Sequence, residues 1–385
     1  MQHKIIFILI VIFSYSKIYA QQIGHITYTY IDSSRGNRAI ETKIYYPATI
    51  AGNNTPVAPG TFPLIAFGHG FVMDWSAYQN FWELLVSEGY IVAFPTTEGS
   101  LSPSHGEFGK DLAYLIDQIR QQGAGAILPT SSIGIKSAIM GHSMGGGSSF
   151  LAAENNTSIQ TMVTFASANT NPSAISASAS VTVPTLLFSG LNDCVTPPVQ
   201  HQDIMYDSTT AGFKTQINIK GGGHCFFANS NLSCSFGEGT CTPIPTISRA
   251  EQQSATNDFL KLWLAYYLKD DCPKAQEFQD SLIISSRINF RQSQSIACAT
   301  GLQQIPNFKN VLKVYPNPFY GSIRIKLDNE PIHRIQVYNT TMQLVKDYNL
   351  TQSDNKANLD LFSLPNGVYF IKVNQRYISK ISKAE

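Results

Sequence analysis

The spacing of apolar and polar positions changes its rhythm twice along this chain. Two alternating stretches open it, Gly24 to Asp32 and Glu41 to Tyr46, around a polar turn at Ser33-Ser34-Arg35-Gly36-Asn37, and they predict two leading strands. A loop rich in Pro, Gly, Asn and Thr runs from Ala48 to Thr61. Short apolar runs then alternate with helical spacing. Strands are expected at Pro63 to Phe67, Tyr90 to Phe94, Ser132 to Met140, Ile159 to Phe165, Val183 to Ser189 and Lys214 to Ile219. Helices are expected at Trp75 to Glu88, Glu107 to Gln121, Gly145 to Ala153, Val199 to Asp207 and Glu251 to Leu268, the last closing the unit. In the second helix Phe108, Leu112, Leu115, Ile116 and Ile119 fall on one face. Such alternation predicts an α/β architecture, a mostly parallel sheet with helices on both faces.

After Thr300 the helical spacing disappears. Leu312 to Tyr315, Ile323 to Leu327, Arg334 to Val337, Leu344 to Tyr348, Ala357 to Leu361 and Val368 to Val373 read as strands of a small β-sandwich, followed by a basic last turn with Lys380 and Lys383. The expected division is a leader at 1–20, the α/β unit at 21–302, a linker at 303–311 and the β-sandwich at 312–385.

Composition narrows the setting. The 385 residues carry 27 Lys and Arg against 26 Asp and Glu, a balance that gives no footing for nucleic acid or an anionic membrane surface. Only 14% of residues are charged, which fits an exported bacterial protein. Lys4, the apolar run Ile5 to Phe13 and the small Ala20 read as a signal peptide, too short in its apolar part to span a bilayer, so a soluble mature chain is expected to start near Gln21. Six cysteines, Cys194, Cys225, Cys234, Cys241, Cys272 and Cys298, suit disulfides in an exported chain, with connectivity open. No C-x-x-C pair supports a metal site, and no metal or organic cofactor is expected.

The chemistry gathers on Gly141-His142-Ser143-Met144-Gly145, a G-x-S-x-G pattern between a β-branched run and a small-residue helix start. A serine on so sharp a strand-to-helix turn needs small neighbours two residues either side. An activated serine needs a histidine to take its proton and a carboxylate to orient that histidine. Downstream lie His201, His224 and His333. His224 follows a predicted strand in the flexible Lys220-Gly221-Gly222-Gly223-His224-Cys225, whereas His201 falls on a predicted helix and His333 in the tail. Asp193, in Asn192-Asp193-Cys194 after the preceding strand, is the favoured acid over Asp207, on or at the end of a helix. Backbone N–H groups of Met144 and Phe71, the latter in Gly68-His69-Gly70-Phe71, are the candidate oxyanion donors. Phe71 and His142 are the expected substrate contacts.

These stretches, with Val183-Pro184-Thr185-Leu186-Leu187-Phe188 and Phe226-Phe227-Ala228-Asn229-Ser230, resemble the bacterial cutinase-like polyester hydrolases, which include poly(ethylene terephthalate) hydrolases, within the dienelactone-hydrolase-like α/β-hydrolases. The resemblance spans about Gly24 to Ala299. It implies an α/β-hydrolase fold and a secreted serine carboxylic-ester hydrolase with Ser143 as nucleophile, Asp193 as acid and His224 as base. The implied substrate is an ester, polymeric esters included, and a monomer is expected. It also implies a Cys272–Cys298 disulfide and a Cys194–Cys225 bridge beside the triad, leaving Cys234 to pair with Cys241. Two features depart from the family. Phe165-Ala166-Ser167-Ala168-Asn169-Thr170 lacks the tryptophan often found there, and the loop from Cys225 to Ile247 is long. A lipase or small-ester or lactone hydrolase without polymer activity is the alternative, and a non-catalytic surface-binding protein a third reading.

Val314-Tyr315-Pro316-Asn317-Pro318-Phe319 and Leu364-Pro365-Asn366-Gly367-Val368-Tyr369-Phe370-Ile371-Lys372-Val373 resemble the C-terminal sorting domain of type IX secretion substrates. That implies recognition by the type IX machinery, release outside the cell or onto its surface, and removal of the tail during export.

Overall fold

A computed structural model describes residues 22–297, 312–328, 331–340, 343–350, 354–374 and 377–384. The expected leader at 1–20 and linker at 303–311 lie outside the described residues. The chain divides into two compact units between Cys298 and Ala299.

In the first unit the leading strands are β1 (Gln22–Asp32) and β2 (Arg38–Ala48), antiparallel in register from Gln22 opposite Ala48 to Asp32 opposite Arg38. A two-residue strand, β3 (Gly52–Asn53), lies beside β1. The alternating region forms β4 (Phe62–Gly68), α1 (Gln79–Ser87), β5 (Ile91–Pro95), α2 (His105–Gln122), the short β6 (Gly123–Ala126), β7 (Ile133–His142) and α3 (Met144–Ala153). It continues with β8 (Thr161–Phe165), α4 (Ala174–Ser178), β9 (Thr185–Gly190), α5 (Gln202–Ser208), β10 (Lys214–Ile219), α6 (Leu232–Gly239) and α7 (Arg249–Lys269). The expectation that α7 closes the unit falls short. A further helix, α8 (Pro273–Ile284), and an edge strand, β11 (Ile288–Gln292), follow it.

The sheet has ten strands in the order β11-β10-β9-β8-β7-β4-β5-β2-β1-β3. β5, β4, β7, β8, β9 and β10 run parallel, and antiparallel strands flank them on both sides. Along β4 successive residues face opposite cores. Ile65 and Phe67 join Phe81, Phe165, Phe188, Phe259, Trp263 and Phe278 beneath α1, α7 and α8. Leu64 and Ala66 join Leu112, Ile116, Phe150, Leu187 and Met205 beneath α2, α3, α4 and α5. Burial on both faces explains why these strands read as unbroken apolar runs. β5, β8 and β9 are buried throughout. The helix ends obey local rules: Ser104 caps α2 by accepting from the Glu107 N–H, and Ser248 and Glu251 form a reciprocal capping box on α7. This arrangement is an α/β-hydrolase fold.

The tail unit contains β12 (Leu312–Tyr315), β13 (Ser322–Leu327), β14 (Arg334–Tyr338), β15 (Leu344–Asn349), β16 (Lys356–Asp360), β17 (Gly367–Val373) and β18 (Tyr377–Lys383). One sheet is ordered β12-β13-β16 and the other β15-β14-β17-β18, around a core with Ile325, Leu327, Ile335, Val337 and Ile371, a small β-sandwich. The basic last turn is corrected. Lys380 and Lys383 lie on β18, paired with Phe370 and Gly367 of β17. Among the described residues no helix is long and apolar enough to cross a membrane.

A buried ionic knot fastens the β1–β2 hairpin to α2. Asp111, fully buried, accepts from Arg38 Nε at 2.8 Å and Nη2 at 2.6 Å and from the Thr97 hydroxyl at 2.7 Å, and pairs with Arg35 Nη1 at 2.7 Å. Replacing Asp111 by Ala leaves two partly buried guanidinium groups short of a partner. We expect Asp111→Ala to cost about 3 kcal/mol, measured by urea unfolding.

Candidate active site

Three loops at the C-terminal ends of the parallel strands build the site. The first is the turn between β7 and α3. Ser143 has φ 56° and ψ −119°, a conformation that non-glycine residues rarely adopt. It is pinned on both sides: its N–H donates to the Phe165 carbonyl at 2.9 Å, and its carbonyl accepts from Gly147 N–H at 3.0 Å and Ala168 N–H at 2.9 Å. The flanking glycines are steric necessities. A Cβ on Gly145 would stand 2.1 Å from the Gly68 carbonyl oxygen, and one on Gly141 would stand 2.3 Å from the Gly145 oxygen.

The second loop follows β10. His224 Nε2 lies 2.9 Å from Ser143 Oγ, and its Nδ1 lies 2.9 Å from Asp193 Oδ2. With Nδ1 protonated, the ring donates to the carboxylate and accepts from the serine hydroxyl. All three residues are largely buried.

The third loop, after β9, holds Asp193. Asp193 Oδ1 accepts from the N–H groups of Val195 at 2.9 Å and Thr196 at 2.8 Å. The Thr196 hydroxyl lies 2.8 Å from Asp193 Oδ2 and 3.0 Å from His224 Nδ1. Gln202 reaches in from α5 to donate to the Ser167 carbonyl at 2.7 Å and to Thr196 Oγ1 at 3.2 Å. Burial pushes the Asp193 carboxyl up, but the neighbouring His224 ring and the Thr196 bonds outweigh it and hold the acid below its ordinary range. Sequence reasoning missed Thr196 and Gln202; the Asp-x-x-Thr spacing is too common in turns to signal this role.

His142, expected to contact substrate, is instead completely buried. Its Nδ1 lies 3.0 Å from the Tyr78 hydroxyl and its Nε2 lies 3.0 Å from the His224 carbonyl. That hydroxyl also accepts from Gly70 N–H at 2.7 Å. A consistent assignment has Tyr78 donating to Nδ1 and Nε2–H donating to the His224 carbonyl, which requires a neutral ring. Two buried side chains therefore connect the Gly68–Phe71 loop to the His224 loop. Phe71 is 48% exposed, and Val72 beside it has φ 53°. Met144 is the first residue of α3, where backbone N–H groups have no carbonyl one turn back to bond.

The cysteine pairing differs from expectation. Cys194 bonds to Cys241 and Cys225 to Cys234, in place of Cys194–Cys225 and Cys234–Cys241. The reason is spatial. The long loop forms α6, whose N-terminal turn lies beside Cys225 and whose C-terminal end lies beside the Asp193 loop, so each of Cys194 and Cys225 meets a partner from the insertion. Cys272 is disulfide-bonded, and its expected partner Cys298 lies outside the described residues.

The remaining candidates sit elsewhere. His201 stands just before α5, its Nδ1 accepting the Asn169 N–H, while Asp207 pairs with Arg291 at 2.7 Å. His333 belongs to the tail, where its N–H donates to Asn374. Trp75 and Trp82 pack on Tyr45, and buried Trp263 donates to Thr161, so no tryptophan occupies the turn after β8.

The sheet and its strained serine turn define an α/β-hydrolase. A family model described as PET hydrolase-like matches residues 22–238, more than half of the chain, and the chain belongs to that family. Residues 313–384 match the secretion system C-terminal sorting domain, so the tail is a type IX sorting domain. A curated relative, bis(hydroxyethyl) terephthalate hydrolase of Streptomyces coelicolor, is 27% identical over 163 residues, which cover 42% of this chain and 48% of that protein. This chain thus spans about half the length of that relative.

Burial, and secondarily the His224 ring, lower the His142 pKa from 6.5 to about 3. In the unfolded chain the imidazole takes a proton below its ordinary pKa that the folded one refuses. Stability is therefore present above that value and falls with acidity, at about 1.4 kcal/mol per pH unit, until the folded pKa is reached. We expect His142→Gln to flatten this acid limb, measured by urea unfolding from about pH 7 to about pH 4.

Proposed function

We propose that this protein is a secreted serine carboxylic-ester hydrolase with Ser143 as nucleophile, His224 as general base and Asp193 as the orienting acid. The observation that carries the reading is the unbroken chain Ser143 Oγ to His224 Nε2 to Asp193 Oδ2, with both distances 2.9 Å. Ser143 Oγ attacks the ester carbonyl while His224 Nε2 takes its proton. The tetrahedral oxyanion is received by the N–H groups of Met144 and Phe71. His224 then returns the proton to the departing alcohol, leaving an acyl-Ser143. A water enters, gives its proton to His224, and releases the acid as Ser143 recovers its hydrogen. Asp193, held ionised, keeps Nδ1 protonated and stabilises the imidazolium at each step.

For the substrate, the PET hydrolase-like family and the terephthalate-ester relative support an aromatic carboxylic ester, in a polymer or as a soluble fragment. The absence of tryptophan from the turn after β8 favours the soluble ester as a second reading. Residues 1–20 as a signal peptide, 21–302 as the mature catalytic domain, 303–311 as a linker and removal of 312–385 during export complete the proposal.

The test compares the parent with Ser143→Ala on a short-chain chromogenic ester and on an amorphous aromatic polyester film. Ser143→Ala is expected to lower kcat by at least about a thousandfold on the soluble ester. A variant as active as the parent would sink the triad assignment. Film erosion by the parent assigns the polymer, and hydrolysis of the soluble ester alone assigns the second reading.

A further inference from the structure

The proposed base sits on a loop with three consecutive glycines, Gly221-Gly222-Gly223, a sequence that alone would leave an imidazole loosely placed. Side chains from outside the triad grip that loop. Gln252 of α7 accepts from Gly223 N–H at 2.8 Å and donates back to the Gly223 carbonyl at 2.9 Å. Arg249 donates to the Cys225 carbonyl and, at 2.5 Å, to that of Ala228. The most direct hold on His224 comes from the insertion. Glu238 Oε1 accepts from the backbone N–H of His224 itself at 2.6 Å and from that of Cys225 at 3.2 Å.

Besides an electrostatic attraction to Arg249, the Glu238 carboxylate has these two N–H groups as its partners among the described residues. It is only 6% exposed on a helix whose other large side chains, Leu232 and Phe236, point to solvent at 88% and 74% exposure. None of the ion pairs among the described residues includes it. α6 is short and glycine-rich, and both disulfides anchor it: Cys225–Cys234 at its start and Cys194–Cys241 just past its end. The crosslinks join this insertion to the residue after the proposed acid and the residue after the proposed base.

We propose that Glu238 is a positioning residue for His224, and that the two disulfides deliver its carboxylate to the His224 and Cys225 N–H groups. The inference rests on the triad reading above. A buried charged acceptor shared by two adjacent N–H groups fixes the peptide plane from which the imidazole projects. Removing it frees the ring to drift from the Ser143 hydroxyl without touching the substrate-contacting surface. The cost therefore falls on kcat and leaves KM in place.

The experiment measures kcat and KM on the soluble ester for full-length Glu238→Ala, Glu238→Gln and Glu238→Asp, with Ser143→Ala as control. Glu238→Gln keeps an acceptor oxygen at the same reach and should stay within about threefold of the parent in kcat. Glu238→Ala should lose about tenfold to a hundredfold in kcat, with KM little changed. Glu238→Asp keeps the charge but withdraws the acceptor by one methylene, so it should fall toward the Ala variant. That ordering separates acceptor position from charge and holds if the Ala variant fails to fold. Parent-like kcat in Glu238→Asp, or equal losses in Gln and Asp, overturns the proposal. An active Ser143→Ala would instead overturn the triad reading, and an inactive one beside unaffected Glu238 variants would overturn the positioning role alone.

Discussion

The fold turns on one steric constraint: a serine held at φ 56° at the end of a buried parallel strand. Such a conformation costs about 1–3 kcal/mol and persists only where its surroundings leave no alternative. Here the surroundings are backbone. Gly68 and Gly141 stand opposite one another in the β4–β7 register, and Gly145 presses against the Gly68 carbonyl so closely that no Cβ fits. The aromatic core under α1 and α7 and the apolar core under α2 and α3 clamp these strands from both faces, so the strain cannot relax by moving a strand. Positive φ recurs at Val72 and Ala166, on the loops after β4 and β8. Strain is concentrated at this end of the sheet.

With the serine fixed, the other two loops must come to it. The loop carrying His224 is glycine-rich, whereas the one carrying Asp193 runs into Pro197-Pro198. The Asp193 loop is held by its own N–H groups folding back on the carboxylate and by Gln202 behind Thr196. The His224 loop is held by His142 from below, by Gln252 and Arg249 from α7, and by Glu238 from α6. Asp193 remains ionised in a buried site because three kinds of partner converge on it, which outweighs the burial that would otherwise keep it neutral.

β5, β8 and β9 were legible because each is short, apolar and buried on both faces, β1 and β2 because their positions alternate, and the α2 stripe because five apolar residues repeat at helical spacing. Order and position singled out Ser143, Asp193 and His224 as candidates, and the structure links them in one hydrogen-bonded chain, Ser143 to His224 to Asp193. What escaped depends on partners distant in sequence. β11 is an exposed edge strand with half-polar content, and it forms because β10 offers it an unpaired edge. β18, rich in Ser and Lys, reads as a polar turn until β17 is beside it. The disulfides could not be read because adjacency in sequence says nothing about which way the insertion folds back. His142 next to Ser143 looked like a surface contact, but period-two alternation on β7 turns it away from the serine and into the core with Tyr78.

The same reasoning bears on how substrate is met. In this chain the turn after β8 is committed to structure: the Ala166 carbonyl lies 3.1 Å from the Thr196 hydroxyl, the Ser167 carbonyl accepts from Gln202, and neither residue offers a ring. Apolar surface at this end of the sheet comes instead from the other loops, from Phe71 after β4 and from Leu191 and Val195 after β9, each about 40–50% exposed. These side chains sit on the very loops that carry the proposed oxyanion donor and acid. On the proposed function, a substrate ester seated against them would couple its binding directly to the placement of those groups. The α6 insertion, crosslinked to both the Asp193 and His224 loops, stiffens that surface from the outside, and an exported protein in an oxidising compartment can rely on disulfides to do so.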